Sequence, residues 1–193
     1  MPEPGDVIEN PVTGERIEFR TAPSGRRQSL HFDYYLEPGG FGLGKVAHVH
    51  PIQEEGFDLQ SGTLGVRVGG DEWEATPGTR FAVPCETPHT VWNAGSDEVH
   101  AHVEIKPALS IGTFFETMYG LARDGKTNAW GLPGPLQLAV VADAFREELY
   151  LAGLPKRLQR GAVGLLASIG RQEGYRAVYP RYSDRTVRIT EEA

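Results

Sequence analysis

Short β-like runs separated by turn residues fill the sequence up to about residue 110, and this pattern limits the folds open to the chain. Turn signals rich in Gly, Pro and Asn, such as Pro77-Gly78 and Asn93-Ala94-Gly95, lie between the runs. Many short strands at this spacing predict an antiparallel barrel or sandwich. The predicted strands are residues 16–21, 29–36, 45–50, 56–61, 63–68, 72–75, 79–83, 89–93 and 99–106.

A helical pattern replaces the strand pattern after residue 110. Apolar residues recur there at three- and four-residue steps, as in Leu138, Val141, Phe145 and Leu149, and this predicts helices with one apolar face. The predicted helices are residues 113–123, 135–149 and 155–169, the last ended by Gly170, and a last short strand would fit residues 186–189. We therefore expect a β-barrel over residues 1–110 and, over residues 111–193, a helical extension that packs on the barrel and ends in a short tail.

Charge and cysteine content narrow the function classes. The 193-residue chain has a formal net charge of −7, so it has no general electrostatic attraction to nucleic acid or to anionic lipid. Its one cysteine, Cys85, excludes an internal disulfide and a cysteine-based zinc cluster. We see neither a signal peptide nor a run of membrane-spanning length, so we expect a cytoplasmic protein with no nucleic-acid or membrane partner.

Two histidines two residues apart, His48 and His50, are the first candidates for a site. On a strand this spacing places both imidazoles on the same face. Alone, such a pair is more often structural than metal-binding. The spacing therefore needs support from other residues before it indicates a metal.

Strand parity separates the two acids that follow. Glu55 shares a face with Phe57 and Leu59, while Glu54 falls on the opposite, polar face. Because the apolar face of a one-sided sheet points inward, we expect Glu55 inside the barrel and Glu54 in water. A carboxylate held among apolar side chains is costly unless a cation pairs with it, and this favours a metal.

His89, at the start of another predicted strand, is the fourth candidate ligand. Three neutral imidazoles and one carboxylate suit one divalent transition metal, either Fe, Mn, Ni, Cu, Co or Zn. Four protein ligands in an octahedral field would leave two positions open. The residues alone shift the balance toward a metal without deciding the question.

The spacing of these residues resembles the two motifs of the cupin superfamily. Gly42, His48, His50, Glu55 and Gly62 match its first motif at every spacing. The second motif is matched by Gly78, Pro84, His89 and Asn93, with Glu86 where the family usually has glycine. The resemblance covers about residues 28–106.

This resemblance implies a mainly β fold, the double-stranded β-helix or jelly-roll barrel, with the α-helical extension outside the matched part. It also implies a single metal held by His48, His50, Glu55 and His89, a structural role for Asn93, and a homodimer. Glu86, as an additional carboxylate near the mouth of the barrel, is the candidate catalytic residue, with the role of a proton shuttle.

Three functions remain open, because cupin barrels host many. The first is an oxygenase, similar to cupin dioxygenases, that acts on a small hydrophobic or aromatic metabolite. The second is a non-redox isomerase, cyclase or lyase in which the metal polarises a carbonyl. The third is a sensing module that binds a small ligand without turnover. An enzyme is favoured over a sensor.

The sequence also predicts which face of its strand each of two further sets of residues occupies. His100, His102 and Glu104 alternate with apolar partners, so we expect them on a plain polar outer face rather than at a second site. Phe32 and Tyr34 point inward by parity, and they are candidates for the wall of a substrate pocket, although packing in the core is the favoured interpretation.

Overall fold

Two antiparallel sheets form the body of the computed structural model, which describes residues 2–23, 25–153 and 155–183. The first sheet has the strand order β1-β2-β3-β10-β5-β8 and the second has the order β11-β4-β9-β6-β7. The strands are β1 (Val7–Asn10), β2 (Glu15–Phe19), β3 (Leu30–Leu36), β4 (His48–Val49), β5 (Glu54–Ser61), β6 (Leu64–Val68), β7 (Asp71–Ala75), β8 (Arg80–Val83), β9 (His89–Asn93), β10 (Val99–Lys106) and β11 (Tyr150–Leu151).

Alternation along the strands places the core between the sheets. In β10 the residues Val99, Ala101, Val103 and Ile105 are buried, while the residues between them lie on the outer face. The order of β10 between β3 and β5 brings together strands that are distant in sequence. This arrangement confirms the predicted jelly-roll fold with a helical C-terminal part.

After β10 the described part of the chain contains four α-helices, with β11 between the second and the third: α1 (Ile111–Arg123), α2 (Pro135–Ala144), α3 (Lys156–Gln172) and α4 (Pro180–Ser183). A short 3-10 helix (Gly42–Lys45) precedes β4. Ile111, Phe114 and Met118 of α1 belong to the same hydrophobic core as the strands. Phe145, just after α2, contacts Phe114 with ring centroids 5.5 Å apart. The helical segment thus shares the core of the sheets, and the division at residue 110 stays a prediction.

The predicted helix over residues 135–149 was wrong at its C-terminal end. The helix ends at Ala144, and Tyr150 and Leu151 form β11, which pairs with β4. Residues 145–149 form a turn that leads into β11. Without β11, the two-residue β4 would be an edge strand with unpaired backbone groups, so the pairing of β11 requires the chain to leave the helix early. The predicted strand over residues 45–50 is shorter for a related reason, because Lys45 ends the 3-10 helix.

Gly170 lies inside α3 and does not end it, contrary to the prediction. A Cβ at this position would lie 2.8 Å from Cγ2 of Val140 and 2.9 Å from the carbonyl oxygen of Leu136. Glycine at this position therefore allows α3 to pack close to α2. The helix ends before Gly174, whose φ of +87° suits glycine.

Most of the apolar side chains of α3 are not covered by the described residues. Leu158, Leu165 and Ile169 are exposed, while Ala167 and Gly170 are the buried residues of the helix. The strand β1 had no counterpart among the sequence predictions, and the predicted strand at residues 186–189 lies outside the described residues. Within the described part of the chain, we find no helix with the length and apolar character needed to span a membrane.

Candidate metal centre

Three strands position the predicted ligands around one point in the lumen between the sheets. β4 and β9 are paired with His48 opposite His89, and His50 follows directly after β4. Glu55 comes from β5 in the facing sheet, on the same face as the buried Phe57. Its neighbour Glu54 is exposed, as strand parity predicted.

One nitrogen from each histidine and one oxygen from Glu55 lie within 4.8 Å of one another. The Nε2 atom of His89 lies 3.0 Å from Oε2 of Glu55, and Nε2 of His50 lies 3.8 Å from the same oxygen. The ring centroids of His48 and His89 are 4.2 Å apart. We call these four residues, His48, His50, Glu55 and His89, the lumen cluster.

Backbone carbonyls fix the outer nitrogens of two of the imidazoles. Nδ1 of His50 donates to the carbonyl oxygen of Glu148 at 2.5 Å, just before β11, and lies 3.1 Å from Oε1 of Gln53. Nδ1 of His89 donates to the carbonyl oxygen of Thr87 at 3.1 Å. A proton held on Nδ1 leaves the Nε2 lone pair directed into the cluster, which is the arrangement that metal-binding histidines adopt.

This tautomer creates a demand for positive charge beside Glu55. The Nε2 lone pair of a neutral His89 would face a carboxylate oxygen only 3.0 Å away, and such a contact is repulsive unless a proton or a cation lies between the two atoms. Burial lowers the pKa of His89, but the carboxylate of Glu55 outweighs this and leaves that pKa above its usual value. Burial likewise raises the pKa of Glu55, and the two neighbouring imidazoles outweigh it and lower that pKa.

His48 and His50 are held in their neutral forms. Burial lowers the pKa of His48 well below its usual value, and the nearby imidazoles of His89 and His50 add to the effect. Burial also lowers the pKa of His50. Among the described residues, Nδ1 of His48 is buried without a hydrogen-bond partner. Neutral imidazoles with available lone pairs are the form in which histidine binds metals.

The distances between the side-chain atoms of the lumen cluster suit a bound transition metal. Ligands about 2.1 Å from a metal and at right angles to each other lie about 3.0 Å apart, close to the separation of Nε2 of His89 and Oε2 of Glu55. The donor set of imidazoles and one carboxylate is also suited to such an ion. The lumen cluster could therefore hold a divalent metal.

Apolar and aromatic side chains line the rest of the lumen, around a cavity of about 60 Å³ beside the cluster. Phe32 and Tyr34 contribute to this wall, as strand parity predicted. Among the described residues that line this cavity there is no lysine, arginine, asparagine or glutamine. Besides the cluster, Phe32 and Tyr34, it consists of Glu15, Ile17, Gly42, Leu43, Phe57, Val91, Val103, Ile111, Phe114, Phe115, Tyr119 and Leu149.

Glu15 is a functional candidate that the sequence reasoning missed. It is buried in the lumen, where Thr13 Oγ1 donates to its Oε2 at 2.6 Å and Tyr34 Oη donates to its Oε1 at 3.0 Å. Burial raises the pKa of Glu15 to about 7, although both hydrogen bonds lower it. Its shared face with Ile17 and Phe19 is the signal that identified Glu55, and it was available in the sequence.

Glu86 lies on the surface and does not line the lumen cavity. Its carboxylate accepts hydrogen bonds of 2.9 Å from the Tyr150 hydroxyl and from Nζ of Lys156, and these interactions lower its pKa. Its φ is +58°, so the turn keeps the left-handed conformation that glycine would adopt there. The role of Glu86 as a proton shuttle stays a prediction.

Asn93 supports the chain turn after β9 and is not part of the lumen cluster. Its Nδ2 donates to the carbonyl oxygens of Leu36 and Asp97 at 2.9 Å and 2.8 Å, and its Oδ1 accepts the Gly95 N–H at 2.9 Å. All its amide groups are therefore occupied by the backbone. This agrees with the structural role that the sequence motif implied.

His100 and His102 lie on the outer face of the first sheet, as predicted, but they are organised around a buried acid. Nε2 of His100 and Nε2 of His102 lie 2.8 Å and 3.1 Å from Oδ1 of Asp33, whose side chain is 2% exposed. Arg20 donates to the other oxygen of Asp33. We call Asp33, His100 and His102 the outer cluster. Sequence parity placed the histidines correctly but did not reveal this shared carboxylate.

The comparison with known proteins matches the central part of the chain. Residues 32–105 match the sequence model of the cupin domain. We found no curated protein whose sequence matches the chain significantly. The protein TT1209 from Thermus thermophilus is a similar solved structure, with 25% identity over 47% of this chain and 83% of that chain and a TM-score of 0.41.

Two other similar structures are more distant in sequence. An RmlC-like cupin from Shewanella frigidimarina is 16% identical over 54% of this chain and 85% of that chain, with a TM-score of 0.46. A sugar phosphate isomerase of the cupin superfamily from Silicibacter pomeroyi is 19% identical over 55% of this chain and 66% of that chain, with a TM-score of 0.43.

Proposed function

Residues 32–105 make this chain a member of the cupin superfamily, and we propose that its lumen cluster holds one divalent transition metal and that the protein is an oxygenase. The substrate would be a small hydrophobic or aromatic molecule. The observation that carries this proposal is a lumen whose wall is mainly apolar and aromatic, with Glu15, Tyr34 and Tyr119 as the polar side chains among the described lining residues besides the cluster.

Charge supports a metal in the lumen cluster. Glu55 is buried with only imidazoles beside it, and the described lining offers no lysine or arginine to neutralise it. A buried carboxylate needs a compensating cation. The two carbonyl contacts of His50 and His89 direct their Nε2 atoms toward Glu55, so the protein offers the site in a preorganised form.

The lining also supports the substrate class. A phosphate or a sugar with several hydroxyl groups would lose its hydrogen bonds to water and find few partners among the described wall residues. Aromatic side chains such as Phe32, Phe114 and Phe115 favour an apolar body instead. A redox-active ion in the cluster would supply the electron transfer that oxygen chemistry requires. The chain itself would bind the substrate, orient it and exclude water.

A second candidate is non-redox proton transfer, and Glu15 favours it. A carboxyl group whose pKa is about 7 can both donate and accept a proton near neutral pH. Glu15 lines the same cavity as the lumen cluster, and its bond from Tyr34 fixes its orientation. In this reading a metal would polarise a carbonyl of the substrate, and Glu15 would move a proton at the adjacent carbon.

The first experiment concerns the metal and compares the two adjacent acids. Protein purified without chelator should contain about one divalent transition metal per chain. Glu55→Gln should lose most of it, because the variant removes the one anionic ligand. Glu54→Gln, at the exposed neighbouring position, should retain it. Equal metal loss in both variants would show that the wrong carboxylate was chosen.

Turnover then separates the functions. An oxygenase should consume dioxygen when supplied with its substrate, and the uptake should depend on the metal. Anaerobic conversion at an undiminished rate that Glu15→Gln abolishes would favour proton transfer. Ligand binding without conversion under either condition would favour a sensor. A homodimer, which sedimentation would detect, stays a prediction.

A further inference from the structure

A second and much larger cavity lies between the helices α1, α2 and α3, and apart from Leu43 its wall lies outside the residues that match the cupin domain. Its volume is about 600 Å³. Most of its wall is aliphatic, with Met118 from α1, Leu138 and Ala142 from α2, and Val163 and Leu166 from α3. The surroundings of this cavity are therefore apolar enough to bind an apolar molecule.

The helix cavity borders the lumen of the metal centre. Leu43, Phe114 and Leu149 line both cavities, so these three side chains form the wall between them. Leu149 follows Glu148, whose carbonyl oxygen holds His50, and it precedes β11, which pairs with β4. The segment of Glu148 and Leu149, which orients the candidate metal ligand His50, thus also separates the two cavities.

The two cavities differ in size and in the presence of candidate metal ligands. The lumen cavity of about 60 Å³ has room for only a few atoms beside the cluster. The helix cavity is about ten times larger and has none of the candidate ligands in its wall. A molecule that reaches both would place a compact polar group in the lumen and its apolar body between the helices.

Charged residues in the wall of the helix cavity are largely paired with protein groups. Asp143 accepts from Arg171 at 2.5 Å and lies 3.7 Å from Arg146, and Lys156 donates to Glu86 at 2.9 Å. The fourth charged residue of the wall, Arg160, contributes to the positive charge that lowers the pKa of Glu86. The wall as a whole therefore leaves little demand for charge on the ligand. An uncharged apolar body therefore suits the cavity better than an ionic one.

We propose that the cavity between α1, α2 and α3 binds the apolar body of the substrate, an amphipathic molecule whose compact oxygen-bearing end enters the lumen past Leu43, Phe114 and Leu149. The inference rests on the proposed function for the identity of the polar end. The binding of the apolar body does not depend on a metal.

The first arm of the test uses metal-free protein and the fluorescent apolar probe N-phenyl-1-naphthylamine. Wild-type protein should bind the probe. Ala142→Phe, which fills the cavity from α2, should weaken binding at least tenfold. Ala144→Phe adds the same ring at the exposed end of the same helix, away from the cavity, and should bind as wild type does. Val163→Phe, from the α3 wall, repeats the test if Ala142→Phe disturbs α2.

The second arm tests the connection to the metal centre in zinc-reconstituted protein. Alkyl hydroxamates carry a compact chelating group, and calorimetry compares acetohydroxamate with octanohydroxamate. Affinity should rise about fourfold for each added methylene that enters the cavity. Ala142→Phe should abolish this gain and leave acetohydroxamate binding unchanged.

The outcomes keep the two proposals distinct. Equal probe binding by wild type, Ala142→Phe and Ala144→Phe, or no probe binding at all, overturns the helix cavity as a binding site. Equal affinities for the two hydroxamates overturn its connection to the lumen. Failure to retain metal or to bind acetohydroxamate contradicts the proposed metal centre, while the first arm still decides on the cavity.

Discussion

The lumen cluster and the outer cluster are built from the same groups but are neutralised differently. Each centres on one carboxylate, the largely buried Glu55 in the lumen and the buried Asp33 on the outer face. One histidine Nε2 atom lies about 3 Å from Glu55 and two lie about 3 Å from Asp33. In the outer cluster, Arg20 also donates to Asp33 and supplies a permanent positive charge. In the lumen, the described residues offer no such cation.

This difference shows why a group of histidines around a carboxylate is not by itself a metal site. Asp33 is satisfied by protein donors, and its surroundings include the stacked rings of His100 and Tyr35, 4.4 Å apart. Glu55 faces imidazoles whose protons are directed toward backbone carbonyls. A metal site is indicated where a buried carboxylate has no permanently charged protein group beside it.

The largest expected effect is a selective loss of metal. His89→Ala should remove most of the bound metal, because one ligand of four is lost. His100→Ala, the matched change in the outer cluster, should leave the metal content at the wild-type level. Elemental analysis of the two purified variants makes the measurement. Metal loss from His100→Ala with retention in His89→Ala would reverse the assignment of the two clusters.

The next effect concerns stability, and it should be concentrated in the outer cluster. Asp33→Asn weakens the hydrogen bonds that a buried charged acceptor receives from Arg20 and His100, and we expect a loss of about 2 kcal/mol in the free energy of unfolding. Asp58→Asn, which disturbs a more exposed pair with Arg80 on a neighbouring strand, should cost less than about 1 kcal/mol. Chemical denaturation near pH 7 measures both. Similar losses in the two variants would mean that the burial of Asp33 adds nothing to the free energy of unfolding.

The same comparison has a pH dependence. Burial raises the pKa of Asp33, but the hydrogen bonds from Arg20 and His100 outweigh it and place that pKa below its usual value. A pKa that is lower in the folded state gives stability that is present above the unfolded value and is lost as the pH falls through the folded value. The advantage of wild type over Asp33→Asn should therefore shrink below about pH 4.

Much of this arrangement could be predicted from the sequence, because strand parity and motif spacing are local. Period-two alternation placed Glu55 in the lumen, Glu54 in water and His102 on the outer face, and the structure confirms all three positions. The parity argument also applied to Glu15, whose strand was predicted to begin one residue later. That residue was missed only because the strand boundary was wrong.

Other features depend on contacts between distant parts of the chain, which a single sequence does not show. α2 ends at Ala144, and residues 145–149 turn toward β11, which pairs with β4 about a hundred residues earlier. The apolar residues of α2 and α3 predicted packed faces, yet much of their apolar surface lines a cavity or remains exposed. Periodicity identifies an apolar face but does not identify what covers it.

Glu15 extends the comparison to a buried carboxylate that accepts hydrogen bonds from the hydroxyl groups of Thr13 and Tyr34. Burial raises its pKa to about 7, so its folded pKa lies above its unfolded one, in contrast to Asp33. The sign is therefore opposite. The protonated form is the stable one, and stability falls as the pH rises from about 4.5 toward 7. In metal-free protein, wild type should lose about 2 kcal/mol between pH 5 and pH 7 relative to Glu15→Gln.

Denaturation of both proteins across this pH range tests the expectation. Glu15→Gln keeps the shape of the side chain and cannot ionise, so its stability should lack this component of the pH dependence. Parallel stability curves for wild type and Glu15→Gln would contradict a raised pKa at Glu15. They would also remove the main support for proton transfer as the second candidate function.

The smallest effect belongs to Glu86, a carboxylate that is paired but exposed. Its pair with Lys156 lies at the surface and should contribute less than about 1 kcal/mol. The backbone, with φ at +58°, should cost the glutamate roughly 1 kcal/mol relative to glycine. Glu86→Gln removes the charge and keeps the strain, whereas Glu86→Gly removes both, so Glu86→Gly should be the more stable variant by about 1 kcal/mol at most.

Thermal unfolding compares the stability of the two variants. Both should retain their metal, because Glu86 is not one of the proposed ligands. A loss of turnover in Glu86→Gln with intact metal content would instead support the proton shuttle predicted from the sequence.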